Sequence, residues 1–274
     1  MFELRLSRLA SPVGVLVVGL LLVAAFVAGC SSLGVGGGIN LVSLEDEWRM
    51  RDDFRRQVES QKRVIRDPAA NAYLTRIGRQ LVAQSALADR RWDFQIVDDP
   101  TLNAFNLPGG LVYVHTGLIR EANTLDQLTG VLAHEIGHGV ARHGTQLMTR
   151  AYGLEAIAAI VLGQDPSRTE QILARLVGTG VLNDHSREFE READSLAVRT
   201  THAAGFDPRG ISDFFRKLEQ RRRREPSKVE QFFSSHPMGA ERIRDTEVLI
   251  AELPARRGLV DDSREYQSFR ARFR

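Results

Sequence analysis

Apolar residues recur at helical spacing through most of the chain, and alternate only in a short stretch before residue 116. Residues 44–64 read as a highly charged helix. Pro68 suits a first helical turn, where its missing N–H would have no partner, and opens a helix over Ala69–Ser85. Ala72, Ile77, Leu81 and Val82 are expected on its inner side. Trp92–Val97 alternates as a strand does and ends at Asp98-Asp99-Pro100. Asn103–Gly110 reads as a loop, and Leu111–His115 as a second strand. Asn123-Thr124 can cap a helix from Leu125 to about His143. Helical patterns follow at 145–162, 168–182 and 187–203. Asp207-Pro208 opens another over 209–223, and the last clear one spans Gly239–Leu253. The pattern predicts an α+β domain, mostly helical, with a small β-sheet beside the helix carrying His134 and His138.

The first 29 residues follow a different logic. Arg5 and Arg8 precede an apolar run from Val15 to Val27, which ends in Ala28-Gly29-Cys30. Basic, apolar and small residues in that order describe a secretory signal. The run is short for a membrane span. A cysteine directly after it resembles the bacterial lipobox, whose sulfur is acylated before cleavage. Residues 1–29 are therefore expected to be a lipoprotein signal peptide, with Cys30 lipidated. Residues 30–43, rich in glycine, are expected to be a flexible tether. The catalytic domain is expected at 44–260, followed by a C-terminal tail at 261–274. Ser31, rather than aspartate, after the cysteine points to the periplasmic face of the outer membrane.

Composition narrows the class. At 43% hydrophobic and 26% charged, the chain is an ordinary globular one. A net charge of +2 gives no footprint for nucleic acid. Arg221–Arg224 reads as a solvated helix end. A single cysteine excludes an internal disulfide and any zinc site built from several thiolates.

His134-Glu135-Ile136-Gly137-His138 carries the candidate chemistry. Residues four apart on a helix share a face, as two ligands of one tetrahedral ion must. Glu135 is turned by about 100° from His134. That puts it beside the metal, able to move a proton from water to a leaving amine. Zinc is the expected ion, one per chain. Gly137 and Gly139 each cost a helix about 1 kcal/mol, so close packing is expected there. His143, five past His138, falls on another face and reads as a surface or capping group. The third ligand is sought in Ser186–Asp194, an amphipathic helix with Phe189, Ala193, Leu196, Ala197 and Thr200 inward. Glu190 and Asp194 share a face, suiting a metal ligand and a carboxylate that orients a ligand imidazole. Glu192 points about 200° away from Glu190.

The His134–His138 motif, followed by Glu190-Arg191-Glu192-Ala193-Asp194, resembles the gluzincin zinc peptidases of the HtpX and CAAX prenyl protease type. Asn103-Ala104-Phe105 with Pro108-Gly109-Gly110, and Ser235-His236-Pro237 with Arg242-Ile243, resemble the exported BepA- and LoiP-like members. The resemblance covers roughly residues 60–250. It implies Glu190 as third zinc ligand and Asp194 as the orienting residue. It implies that the strand at Leu111–His115 pairs with an extended substrate, with Gly110, Leu111, Val112 and Tyr113 as candidates. It also implies that His236 can fill zinc's open position and hold the enzyme latent. Two departures limit it. The multiple spans of HtpX are not found, so cleavage within a membrane is not expected. The helical repeats of BepA are not found either, so their partner docking is not carried over. His115 could line the substrate groove, but a histidine ending a strand is more often structural, and His185 and His202 carry no signal.

The expected function is a monozinc endopeptidase acting on unfolded or misassembled envelope proteins. The rival is a lipoprotein chaperone or assembly factor that holds unfolded outer-membrane proteins with little proteolysis. Glu135 argues against a pure binder, which has no need of it. The oxyanion donor stays open; an Arg or His of the 236–244 segment is a candidate.

Overall fold

Ser43 ends the extended lead-in by accepting the Asp46 amide, and two charged helices follow, α1 (Leu44–Arg49) and α2 (Arg51–Gln61). The computed structural model describes residues 39–163, 166–179, 182, 185–237 and 239–274. The signal peptide, Cys30 and most of the tether lie outside the described residues. Asp67 caps α3 (Pro68–Val82) by accepting the amides of Ala69 and Ala70. The inward stripe of α3 is Ala70, Tyr73, Leu74, Ile77 and Leu81. Ala72, expected inside, is exposed, because the stripe's phase is set by Tyr73 and Leu74. Glycine at 78 lets the Phe94 ring lie on the helix, where a Cβ would come within 2.4 Å of it.

Three strands form one sheet in the order β1-β3-β2: β1 (Asp93–Val97), β2 (Ala104–Leu107) and β3 (Leu111–His115). β1 runs parallel to β3, and β2 antiparallel to it. β2 lies where a loop was expected. Its four residues are all buried, so it shows no alternation, and Gly109 and Gly110, at φ 83° and 69°, make the turn into β3. This corrects the substrate-strand assignment. β3 is the middle strand with neighbours on both sides, so Leu111, Val112 and Tyr113, and Gly110 leading in, offer no free edge. β1 and β2 are the outer strands; residues 63–65 bond along the end of β1, and β2 is the one that borders α5.

After the short α4 (Thr116–Glu121) comes α5 (Leu125–Val140), buried along nearly its whole length. It packs against α8 (Arg187–Ala203), α9 (Arg209–Arg224) and β2. Glycines make this possible. A Cβ at Gly137 would stand 2.9 Å from the Ala193 carbonyl oxygen of α8, and one at Gly130 2.8 Å from Ile211 of α9. At Gly139 it would stand 2.6 Å from the Trp92 ring. The close packing expected at Gly137 and Gly139 is present. Between α5 and α8 come α6 (His143–Leu162), broken at Gly153, and α7 (Pro166–Thr179). The chain closes with α10 (Glu230–Ser235), α11 (Ala240–Ala251) and α12 (Arg264–Ala271).

α12 corrects the expected tail. Tyr266, Phe269 and Phe273 are buried in the main core, Phe269 stacks on Tyr73, and the Tyr266 hydroxyl donates to the Ala122 carbonyl at 2.6 Å. Arg222–Arg224 is the solvated helix end expected, while Arg221 pairs with Glu121. Among the described residues no helix is long and apolar enough to cross a membrane.

Candidate metal centre

α5 brings the Nε2 atoms of His134 and His138 to 3.0 Å from one another. Across the glycine contact, α8 delivers Glu190. Its Oε1 lies 3.2 Å from His138 Nε2, and its Oε2 3.5 Å from His134 Nε2. The loop after α10 adds His236, whose Nδ1 is 3.3 Å from His134 Nε2 and 3.3 Å from Glu190 Oε1. All four residues are buried, with one donor atom from each lying within 4.8 Å of the others. Donors about 2.0–2.1 Å from a tetrahedral zinc stand roughly 3.3–3.4 Å apart. The observed separations match that cage, and two imidazoles, a carboxylate and a third imidazole are the donors zinc takes. The residues fit the metal.

Glu135 stands beside the cage and is not part of it. Both of its buried carboxylate oxygens lack a hydrogen-bond partner, as does His236 Nε2, 3.5 Å from Glu135 Oε1. Burial pushes the Glu135 carboxyl above its ordinary range. Burial would also depress His134, but Glu190 and Asp194 outweigh it and push His134 up to about 10 when no cation is present. Glu190 remains charged despite burial, held well below the usual carboxylate range by His236 and His134.

Two sets of groups back the histidines. Asp194 Oδ1 lies 2.9 Å from His134 Nδ1, the position expected of an orienting carboxylate. Arg242 of α11 donates to both Asp194 oxygens, at 2.8 and 2.7 Å, and its third nitrogen lies 2.5 Å from Glu190 Oε2. So engaged, Arg242 is not available as the oxyanion donor. Behind His138 stands His143, which corrects the expected surface role. α5 ends at Val140, and Arg142 turns the chain with φ 60° and ψ 34°, returning His143 beneath the helix. His143 is fully buried, its Nδ1 is 2.8 Å from His138 Nδ1, and its Nε2 is 3.3 Å from Glu192 Oε2. Burial, with His185 adding to it, lowers His143 to about 3, so the ring is neutral. His185, which gave no signal, is buried and stacked on His138 with ring centres 3.8 Å apart. A histidine just before the Ser186 cap was the only hint. His115 is structural, as expected: it is buried and bonded to Thr101 Oγ1 at 2.9 Å.

The sheet borders this centre through β2. His115 N donates to Asn103 O, so in the alternating ladder the main-chain groups of Ala104 and Asn106 face away from β3. Gly139 leaves room for the Asn106 side chain, 3.0 Å from where its Cβ would be.

A cation cage closed on all sides would be a structural site. One with a further buried carboxylate beside it, as Glu135 stands here, is the arrangement of a metal-dependent hydrolase, because that carboxylate can move a proton. More narrowly, residues 68–249 match Peptidase family M48, and the chain belongs to that family of metallopeptidases. It is 31% identical over 225 residues to the mitochondrial metalloendopeptidase OMA1 of Schizosaccharomyces pombe, covering 81% of this chain and 66% of that protein. It is 30% identical over 223 residues to the beta-barrel assembly-enhancing protease of Yersinia pestis, covering 78% of this chain and 45% of the relative. With the protein of that name from Escherichia coli the identity is 27%, and the coverage the same 78% and 45%. The chain thus spans just under two thirds of the first relative and less than half of the others.

Proposed function

We propose that this metallopeptidase is a zinc endopeptidase that cuts unfolded or misassembled proteins of the bacterial envelope, held by lipid on Cys30 at the periplasmic face of the outer membrane. One observation carries the chemical part: the four-donor cage beside a buried carboxylate with no partner. The names of the relatives, metalloendopeptidase and beta-barrel assembly-enhancing protease, support the substrate class. The signal-like residues 1–29 support the location.

On this reading His134, His138 and Glu190 hold the zinc. Zinc, when bound, supplies a Lewis acid that lowers the pKa of a coordinated water to about 7. Glu135, raised by burial, takes the proton and hands it to the departing amine. Asp194, clamped by Arg242, keeps His134 in its productive orientation. The outer edge of β2 supplies main-chain partners for an extended peptide beside α5. With a metal bound, His236 would take the fourth position and would have to withdraw before substrate binds, which would make this arrangement a latent one. A pure chaperone has no use for Glu135, a carboxylate held buried beside the cage.

The test is casein degradation by the full-length chain with and without chelator. We expect degradation that stops with chelator and returns with zinc. Zinc-loaded protein that holds unfolded substrate without cutting it, even with His236→Ala, would overturn the reading in favour of the chaperone. Mass spectrometry of the mature N-terminus tests the anchor: an unmodified Cys30 would reject it.

A further inference from the structure

We propose that His143 and Glu192 form a positioning relay that fixes the hydrogen on Nδ1 of His138, so that His138 presents only Nε2 to the metal. The proposal rests on the reading that zinc occupies the cage. It concerns residues that the peptidase chemistry does not use.

The argument is one of hydrogen counting. His138 Nε2 faces the cage, 3.2 Å from Glu190 Oε1, so its lone pair serves the metal. His138 Nδ1 must then carry the ring hydrogen. It lies 2.8 Å from His143 Nδ1, a distance at which one hydrogen is shared and one of the two nitrogens accepts. His143 Nδ1 is therefore the acceptor. In a neutral imidazole the other nitrogen then carries hydrogen. That nitrogen, Nε2, lies 3.3 Å from Glu192 Oε2, and an ionised carboxylate can only accept. The three groups admit one arrangement, and Glu192 sets its direction. Reversing it would turn a lone pair of His143 toward a carboxylate.

The surroundings hold the relay in place. The His143 ring stacks on Phe189, with centres 3.9 Å apart and planes 10° from parallel, and Arg150 covers the far face of Phe189. His185 stacks on His138 at 3.8 Å and 16°. The chain reaches this geometry only through the left-handed backbone of Arg142, a conformation that costs a non-glycine residue of order 1–3 kcal/mol. Arg142 is fixed by Glu47 Oε2 at 2.7 Å and by the Val42 carbonyl at 2.6 Å. A neutral imidazole behind His138 also spares the centre a further buried carboxylate beside Glu135, Glu190 and Asp194. Glu192 stands one ring further out, with its side chain 16% exposed.

The experiment uses the full-length chain, wild type, Glu192→Leu and Glu192→Gln. Zinc affinity is read by competition with a chelator, and ring tautomers by long-range proton–nitrogen correlation in the zinc form. Wild type should show hydrogen on Nδ1 of His138 and on Nε2 of His143. Glu192→Leu, which cannot accept, should weaken zinc by about 10–100-fold and give mixed tautomers at His143. Glu192→Gln retains an accepting oxygen and should restore both readouts toward wild type. Zinc affinity unchanged in Glu192→Leu, or a hydrogen on Nδ1 of His143 in the wild-type zinc form, would overturn the relay and leave the peptidase reading standing. A wild type that binds no zinc would overturn both.

Discussion

Three of the cage donors and the fourth are held by different means. His134, His138 and Glu190 stand on α5 and α8, whose backbones touch at Gly137 and Ala193. No side chain can move there without moving a helix. His236 comes from the segment leading to α11, which reaches α8 through side chains. Glu241 pairs with Arg187 at 3.7 Å and Arg191 at 3.5 Å, and Arg191 with Asp245 at 3.9 Å, all well exposed. Exposed pairs of this kind contribute about 0–1 kcal/mol each. Arg242 is the exception, buried against Asp194 and Glu190. The contrast teaches that metal affinity and access to the metal can be set separately: the first by helix packing, the second by a segment that lies on top.

The comparison can be broken most sharply at its chemical centre. Glu190→Ala should lose metal outright, while Glu135→Gln should keep it and lose about 10²–10⁴-fold or more in turnover. Metal analysis beside a peptidase assay separates the two; a Glu135→Gln variant that cuts normally would reject its role. Arg242→Ala comes next. It takes the guanidinium away from two buried carboxylates and should destabilise by about 3–5 kcal/mol, read by denaturant unfolding. Arg242 holds Asp194 below its ordinary value against the effect of burial. The stability that Asp194 contributes is therefore present above about pH 3.9 and fades as pH falls through the lower folded value. The gap between wild type and Arg242→Ala should shrink in acid. Gly137→Ala tests the helix contact. With Ala193 O at 2.9 Å, α8 must shift, at about 1–3 kcal/mol, and zinc affinity should fall with it. Unchanged unfolding and zinc binding would show that the seam is not what holds the three donors.

The covering segment should respond differently. His236→Ala is expected to keep zinc and raise basal cleavage of casein severalfold; loss of metal would make His236 a required ligand instead. Glu241→Lys should give the smallest effect, within about 1 kcal/mol in stability. Zinc affinity should not change, and basal cleavage should rise slightly.

What the sequence disclosed follows from the range of its signals. Spacing within one helix was enough to put His134 with His138, and Glu190 with Asp194, because both pairs obey a four-residue rule that survives burial. Pro68 and Asn123-Thr124 marked helix starts for the same local reason. β2 was hidden because a strand buried on both faces does not alternate, and the Pro108-Gly109-Gly110 signal made the whole stretch look like a loop. Once β2 is present, β3 becomes the middle strand, so one local miss displaced the substrate edge by a strand. His143 was misread because its position was projected along a helix that stops at Val140. The turn depends on Arg142 in a backbone conformation that arginine seldom adopts, held by Glu47 from far away in the chain. The places of His185 and α12 depend on tertiary contacts alone.

The packing of α12 also bears on how the domain comes into being. Phe269 stacks on Tyr73, and Tyr266 bonds to Ala122, so an early helix gains its cover from residues made much later. At about 5–20 residues per second, Tyr73 leaves the ribosome roughly ten to forty seconds before Phe269. Contacts so distant in sequence also form slowly once both partners exist, since a long loop must close first. A nascent chain therefore carries the His134 and Glu190 segments before its core can be completed. Assembly of the folded catalyst therefore waits for residues made well after its metal ligands, and that delay separates its manufacture from its first cut.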